Sequence, residues 1–286
     1  MKRIVLLASA ALLGLAACPA QAQSPSTLRI GLQEDPDMLD PHKARTFVGR
    51  IVFMGLCDRL VDIDPELKII PRLATEWSFS GDGLTLTMKL RTDAKFHDGE
   101  TFNAEAAKAN LERAMTLPDS LRKSELASVE SVSAPDPATL VLKLKRPDAT
   151  LLAQLTDRAG MMLSPKSLGP DITAKPICSG PYQFVERVQN DRIVLEKFKG
   201  HWEADKYQFD RIVYRAIPDT TVRLANLRAG ELDMLERLAP TDVKSAQGDK
   251  SLKVQSTAVH GGEKTIQWSA CVCAGAGGVK VGHWIG

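Results

Sequence analysis

The sharpest periodicity in the chain lies between Trp77 and Arg91. Behind the turn Gly81-Asp82-Gly83, Leu84, Leu86, Met88 and Leu90 alternate with Thr85, Thr87, Lys89 and Arg91. Period two after a glycine-rich turn predicts a hairpin whose second strand buries one face. A second hairpin is predicted where residues 129–134 and Thr139–Leu144 flank Pro135-Asp136-Pro137. Thr27–Leu32 also reads as a strand, and the stretch from Glu34 to Pro41, broken by two prolines, reads as loop.

Helical spacing appears at 44–60, where Val48, Ile51, Val52, Leu56 and Leu60 share one face. Asn103 is placed to cap a helix over 104–117, which Pro118 ends, and 150–158 predicts a short helix. After Pro176 the pattern changes. Tyr182–Val188 and 192–198 read as strands joined at Gln189-Asn190-Asp191. Then come a strand at 211–217, a helix Thr220–Arg228 capped by Asp219 and closed by Gly230, and a strand at 232–235. Strand, helix and strand in about 25 residues predict a βαβ unit with parallel strands and a right-handed crossover. A short helix at 241–246 and a strand at 252–256 follow, and no internal repeat is visible. From about 259 the periodicity stops, and seven glycines, two cysteines and two tryptophans fall between Gly261 and Gly286. Residues 259–286 are expected to be an aberrant tail from an out-of-frame or truncated end, with a flexible natural tail as the alternative. The strand at 252–256 is expected to lack a successor to pair with.

The chain has 286 residues, 44% hydrophobic and 25% charged, which fits two globular domains and excludes wholesale disorder. The amino terminus changes that picture. Lys2-Arg3 precedes an uncharged Leu- and Ala-rich run over 4–17, and Ala20-Gln21-Ala22 supplies small residues at a cleavage site. As a helix the run rises about 21 Å, short of a bilayer core of about 30 Å. Residues 1–22 are therefore expected to be an export signal cut before Gln23. Leu15-Ala16-Ala17-Cys18 offers a competing lipid-attachment site, which would anchor the protein through Cys18. Export places the remaining cysteines, Cys57, Cys178, Cys271 and Cys273, where disulfides form. Without the signal, 35 basic residues balance 35 acidic ones, so no global field favours nucleic acid or an anionic surface.

The screen for catalytic chemistry is negative. G-x-S-x-G, H-E-x-x-H, the phosphate-binding loop and the dinucleotide fingerprint are all missing from the sequence. His42, His97, His201, His260 and His283 never stand four residues apart. Cys271-Val272-Cys273 with His283 lacks the spacing of a metal site. His97-Asp98-Gly99 is better explained as a turn than as an acid–base pair, and Trp77, Tyr182 and Trp202 as core than as stacking platforms. Neither an enzyme nor a cofactor is expected.

Four motifs, in order, carry a resemblance. Leu39-Asp40-Pro41 follows the first strand. A long signature runs from Trp77-x-x-Ser80-x-Asp82-Gly83-x-Thr85 through Leu90-Arg91 to Phe96-His97-Asp98-Gly99-x-x-Phe102-Asn103-Ala104. Ser179-Gly180-Pro181-Tyr182-x-Phe184 is third. Trp202, Ile217-Pro218-Asp219, Arg223 and Gly230-Glu231-Leu232-Asp233 complete the set. Over about 27–258 the chain resembles the family 5 solute-binding proteins of bacterial ABC importers, which capture peptides and nickel-type ligands.

The resemblance implies a type II periplasmic-binding-protein-like α/β lobe with an inserted, mainly antiparallel subdomain, the second lobe being absent. The first lobe is expected to combine 23–45 with 176–258, and the insertion to span 46–175. It implies a monomer in the periplasm that binds a peptide or other small solute and docks on ABC permease subunits of the inner membrane. A nickel chelate, an opine or a sugar is the alternative solute, and an exported enzyme or a non-functional fragment the alternative role. Asp35, Pro36, Asp37 and Met38 look like the segment that lines the cleft beside a ligand backbone. An ordinary surface loop is the alternative. Trp77, Gly83, Asp98, Gly180 and Pro181 look like fold positions. Cys57 and Cys178 lie where the insertion leaves and re-enters the lobe, so a disulfide between them is expected, with two buried free thiols as the alternative.

Overall fold

The structure, a computed structural model, describes residues 26–169, 172, 175–255 and 271–274. The signal-like segment lies outside them, as does most of the tail.

The alternating segment builds the smaller layer. Strands β4 (Ala74–Phe79), β5 (Thr85–Leu90), β6 (Val129–Asp136) and β7 (Thr139–Leu144) form an antiparallel sheet in the order β4-β5-β7-β6. Leu86, Met88 and Leu90 of β5 are buried together with Leu140, Leu142 and Leu144 of β7, while Lys89 points to solvent. Helix α2 (Ala104–Thr116) covers this face and contributes Ala107, Leu111 and Ala114 to the same core. It starts where it does because Asn103 Oδ1 accepts the amide of Ala106 at 2.9 Å.

The larger layer is a seven-stranded sheet in the order β12-β13-β11-β1-β10-β9-β8. Its strands are β1 (Thr27–Leu32), β8 (Tyr182–Val188), β9 (Arg192–Lys197), β10 (Arg211–Ala216), β11 (Met234–Leu235), β12 (Leu252–Gln255) and β13 (Cys271–Ala274). The amino-terminal strand lies in the middle, parallel to β10 from Thr27↔Arg211 to Leu32↔Ala216 and parallel to β11 at Ile30↔Met234. Helix α4 (Thr220–Arg228) makes the crossover from β10 to β11 over β1, with Asp219 accepting the amide of Val222 at 2.9 Å. Helix α5 (Val243–Gln247) precedes β12.

Several expectations are corrected. Helix α1 covers Phe47–Leu56, not 44–60. The Thr46 hydroxyl accepts the amide of Gly49 and starts it, and the backbone turns extended at Cys57. Val48, Val52, Phe53 and Leu56 share the core of the large sheet with Leu32, Tyr182, Ile193 and Leu195, so α1 belongs to that layer although it lies inside 46–175. The helix expected over 150–158 is α3 (Leu151–Gln154) followed by a 3-10 turn at Arg158–Gly160. A short hairpin, β2 (Val61–Ile63) with β3 (Ile69–Pro71), was not legible in the pattern. The strand at 252–255 does have a partner. β13, inside the expected aberrant tail, pairs antiparallel with both β11 and β12. Its Cys-Val-Cys-Ala sequence is short and apolar, and it occupies a strand edge that β11 would otherwise present unpaired.

The chain crosses between the layers near 57–60 and 161–180. Cys57 and Cys178, 121 positions apart in the sequence, are joined there by a disulfide, with Cα atoms 4.9 Å apart. Gly180 lies against the end of α1: a Cβ on it would stand 2.5 Å from the Leu56 carbonyl carbon, and its amide donates to the Leu56 carbonyl at 2.8 Å. Beside it, buried Asp58 accepts from His201 Nε2 at 2.9 Å, from Trp202 Nε1 at 2.8 Å and from Arg72 Nε at 2.9 Å. Burial pushes the Asp58 carboxyl up, but the Arg72 guanidinium and the His201 and Trp202 donors more than offset it, leaving the group well below the usual carboxylate range.

Candidate functional site

The carboxyl ends of the parallel strands β11, β1 and β10 open onto one edge of the large sheet. In open α/β sheets such an edge, where the strand order reverses around β1, is where ligands lie. The loop leaving β1 lies at this edge, and its side chains divide by role. Asp35 turns inward. Its Oδ2 accepts from Arg187 Nη2 at 2.7 Å, Arg187 Nε at 3.2 Å and the amide of Asn190 at 3.1 Å. The Pro36 carbonyl accepts from the same guanidinium. Asp37 accepts from the amide of Arg45 at 2.9 Å and from the Thr46 hydroxyl at 3.2 Å, fixing the entry to α1. Met38 packs against the sheet's core. These four residues shape the loop through contacts within the chain. The groups facing outward on this edge include Glu34, which is exposed, and a shallow depression there is lined by Leu32, Glu34, Asp35, Pro36, Arg192, Ile193, Tyr214 and Ala216.

The next motif is structural. Arg113 of α2 forks onto Asp40, at 3.1 Å to Oδ1 and 2.8 Å to Oδ2, and donates to His42 Nδ1 at 2.8 Å. His42 is fully buried, and burial pulls its pKa down to about 4. His97 behaves alike. Its Nδ1 accepts the amide of Cys178 at 3.3 Å, so Nε2 carries the proton and donates to the Gly180 carbonyl at 3.0 Å. Burial holds it too at about 4. Asp98 accepts from the Ser164 hydroxyl at 2.5 Å. The His97-Asp98 pair thus joins the signature loop to 164–180, and no acid–base geometry results. Trp202 stacks between Arg91 and Arg72, whose Cζ atoms lie 3.4 and 4.8 Å from the ring centroid.

On the β11 side of the same edge the sequence reading missed a group. Phe47, Arg50, Gln33 and Arg237 meet there, with Arg237 Nη1 donating to Gln33 Oε1 at 2.9 Å. The available signal was a charged pair, Glu236-Arg237, directly after the short strand Met234–Leu235. Among the described residues no cluster of His, Cys, Asp and Glu fits a metal, and no helix is long and apolar enough to cross a membrane. The side chains of Cys271 and Cys273, together with His283, lie outside the described part.

Fold and edge together define an α/β lobe with an antiparallel subdomain. Comparison with known proteins places it: residues 68–266 match the model of the bacterial extracellular solute-binding proteins, family 5 (middle), and the chain belongs to that family. The glutathione-binding protein GsiB of Pectobacterium atrosepticum is 34% identical over 235 residues, which cover 81% of this chain and 45% of that protein. The GsiB of Escherichia coli O1:K1 is 36% identical over 197 residues, 68% of this chain and 38% of its own. The chain therefore spans less than half the length of these relatives. Among solved structures, the binding protein AgaA from A. tumefaciens R10, in complex with agropinic acid, superposes with a TM-score of 0.76 at 27% identity, covering 80% of this chain and 47% of that one. A nickel ABC transporter protein from Bacillus halodurans gives 0.72 at 26% identity, covering 82% and 47%.

Proposed function

We propose that this chain is the solute-binding component of an ABC importer, which takes a short peptide or peptide-like solute in the periplasm and presents it to a permease in the inner membrane. The observation that carries the reading is the shared edge of β11, β1 and β10, with the 33–38 loop held rigidly across it by Arg187 and Thr46. A loop fixed at strand ends offers backbone N–H and C=O groups that pair with a peptide main chain whatever its side chains. The glutathione-binding relatives favour a peptide-like solute. The AgaA likeness makes an opine the second reading.

One wall of a clamp buries little of its ligand, so affinity for the 286-residue chain alone is expected to be weak. Titrating the isotope-labelled chain with glutathione and with tripeptides should move the amide signals of 33–38 and 236–238 saturably, with a Kd well above 1 μM, or about −8 kcal/mol. Shifts confined to other surfaces, or none, would overturn the site. A sub-micromolar Kd would overturn the one-wall argument.

A further inference from the structure

Cations gather around one aromatic ring where the start of α1 meets the end of β11. The Cζ atoms of Arg50 and Arg237 each lie 5.7 Å from the Phe47 ring centroid, so they are no more than twice that distance apart. Neither guanidinium is used up. Arg50 Nη2 pairs with Asp157 at 2.5 Å, and Arg237 Nη1 with Gln33 at 2.9 Å. The Nε of each is buried and makes no hydrogen bond to the protein, though Arg237 Nε stands 3.2 Å from Glu236. Both side chains reach solvent, at 39% and 30% exposure.

The charge balance differs between the two arginines. Arg50 stands with Arg122 and Arg158 against Asp157 and Glu125, which leaves one positive charge without a counterpart. Arg237 and buried Arg223 are balanced by Glu236 and by Asp219 at the start of α4, with exposed Glu34 close to Glu236, so it is the groups of Arg237 left without a partner, not a charge excess, that are open to a ligand there. A basic residue in the first turns of α1, which holds no acidic residue there, also runs against the helix dipole. The backbone of Arg237 is itself unusual. Its φ is +57°, a left-handed conformation that side-chain-bearing residues seldom adopt, and Arg223 Nη2 holds its carbonyl at 3.0 Å. The fold thus holds Arg237 in a strained geometry at the edge where the ligand is expected.

We propose that Arg50 and Arg237 form a carboxylate-binding subsite of the solute cleft, with Phe47 as the apolar plate beneath the solute's stem. Guanidinium forks match the planar carboxylate, so the solute class is one that presents a free carboxylate, as a peptide carboxyl terminus does. The inference rests on the solute-binding reading above.

Triglycine and triglycine amide, titrated against the labelled chain and followed through amide and Arg Nε–H signals, separate the two claims. Triglycine is expected to bind at least tenfold more tightly than its amide and to shift the Nε–H signals of Arg50 and Arg237. Arg50→Gln and Arg237→Gln should each erase most of that difference, and Arg237→Lys part of it, with circular dichroism unchanged. Arg211→Gln, at the opposite end of β10, should leave it intact. Equal affinity for the two peptides with shifts at 33–38 would overturn the subsite and leave the solute-binding reading standing. Shifts from neither peptide would overturn both. A preference for triglycine that survives both glutamine variants would place the carboxylate elsewhere and overturn the assignment.

Discussion

His42 and His97 show how a single buried residue sets a property of the whole protein. Each is held neutral by burial, with its pKa lowered from 6.5 to about 4. Between those values the unfolded chain binds the proton and the native state does not, so stability is complete above pH 6.5 and falls as pH drops toward 4. Each histidine can contribute up to about 1.4 kcal/mol per pH unit in that window. Urea unfolding at pH 7.5 and pH 5 should therefore differ by a few kcal/mol, and His97→Gln should remove about half of the difference. A pH-independent midpoint would contradict the buried neutral assignment. Histidine burial was invisible in the sequence, because nothing local distinguishes a ring that ends under α2 from one on a surface. The segment after β1 was legible as a loop, but its contacts were not. Asp35 points into the protein because Arg187, 152 positions away, is brought to it by tertiary packing, whereas Asp37 stays exposed and binds the nearby entry to α1.

Secondary elements with strong periodicity were legible almost to the residue. β1, β7, β8 and α4 have the bounds that alternation and capping predict. What the pattern blurred was governed by side chains that act on the backbone. Thr46 starts α1 three residues later than its apolar face suggests, and the bonded Cys57 ends it early. The three-residue strands of β2 and β3 are too short to show alternation, and β3 ends on a proline. Caps are thus the place to test an element alone. Asn103→Ala should destabilise the protein by about 1 kcal/mol, read as a lower denaturant midpoint with an unchanged slope, and Asn103→Asp should retain most of the stability.

At the scale of the molecule, two layers are fastened by a few groups at the crossing: the Cys57–Cys178 bond, the Gly180 contact and the Asp58 network. The bond closes a loop of 121 positions. By loop-closure entropy its removal in a Cys57→Ser, Cys178→Ser double variant should cost roughly 3–5 kcal/mol. Mass spectrometry of the unreduced protein should find neither thiol alkylatable after unfolding. The hairpins of the small sheet and the βαβ unit were legible as separate patterns. The placement of α1 was not, because an amphipathic helix records that it has an apolar face and not which sheet it covers.

The central position of β1 also orders events in time. Its partners begin at Arg211 and Met234, so the first strand made must wait for nearly the last before its sheet can close. The antiparallel subdomain, whose pairings all fall between Ala74 and Leu144, needs no such delay. Distant pairing is slow, and a polypeptide emerging from the ribosome amino end first holds residues 27–32 unpaired through most of its synthesis. Such a chain resists premature closure while it is still extended, the condition a translocation channel requires of its cargo.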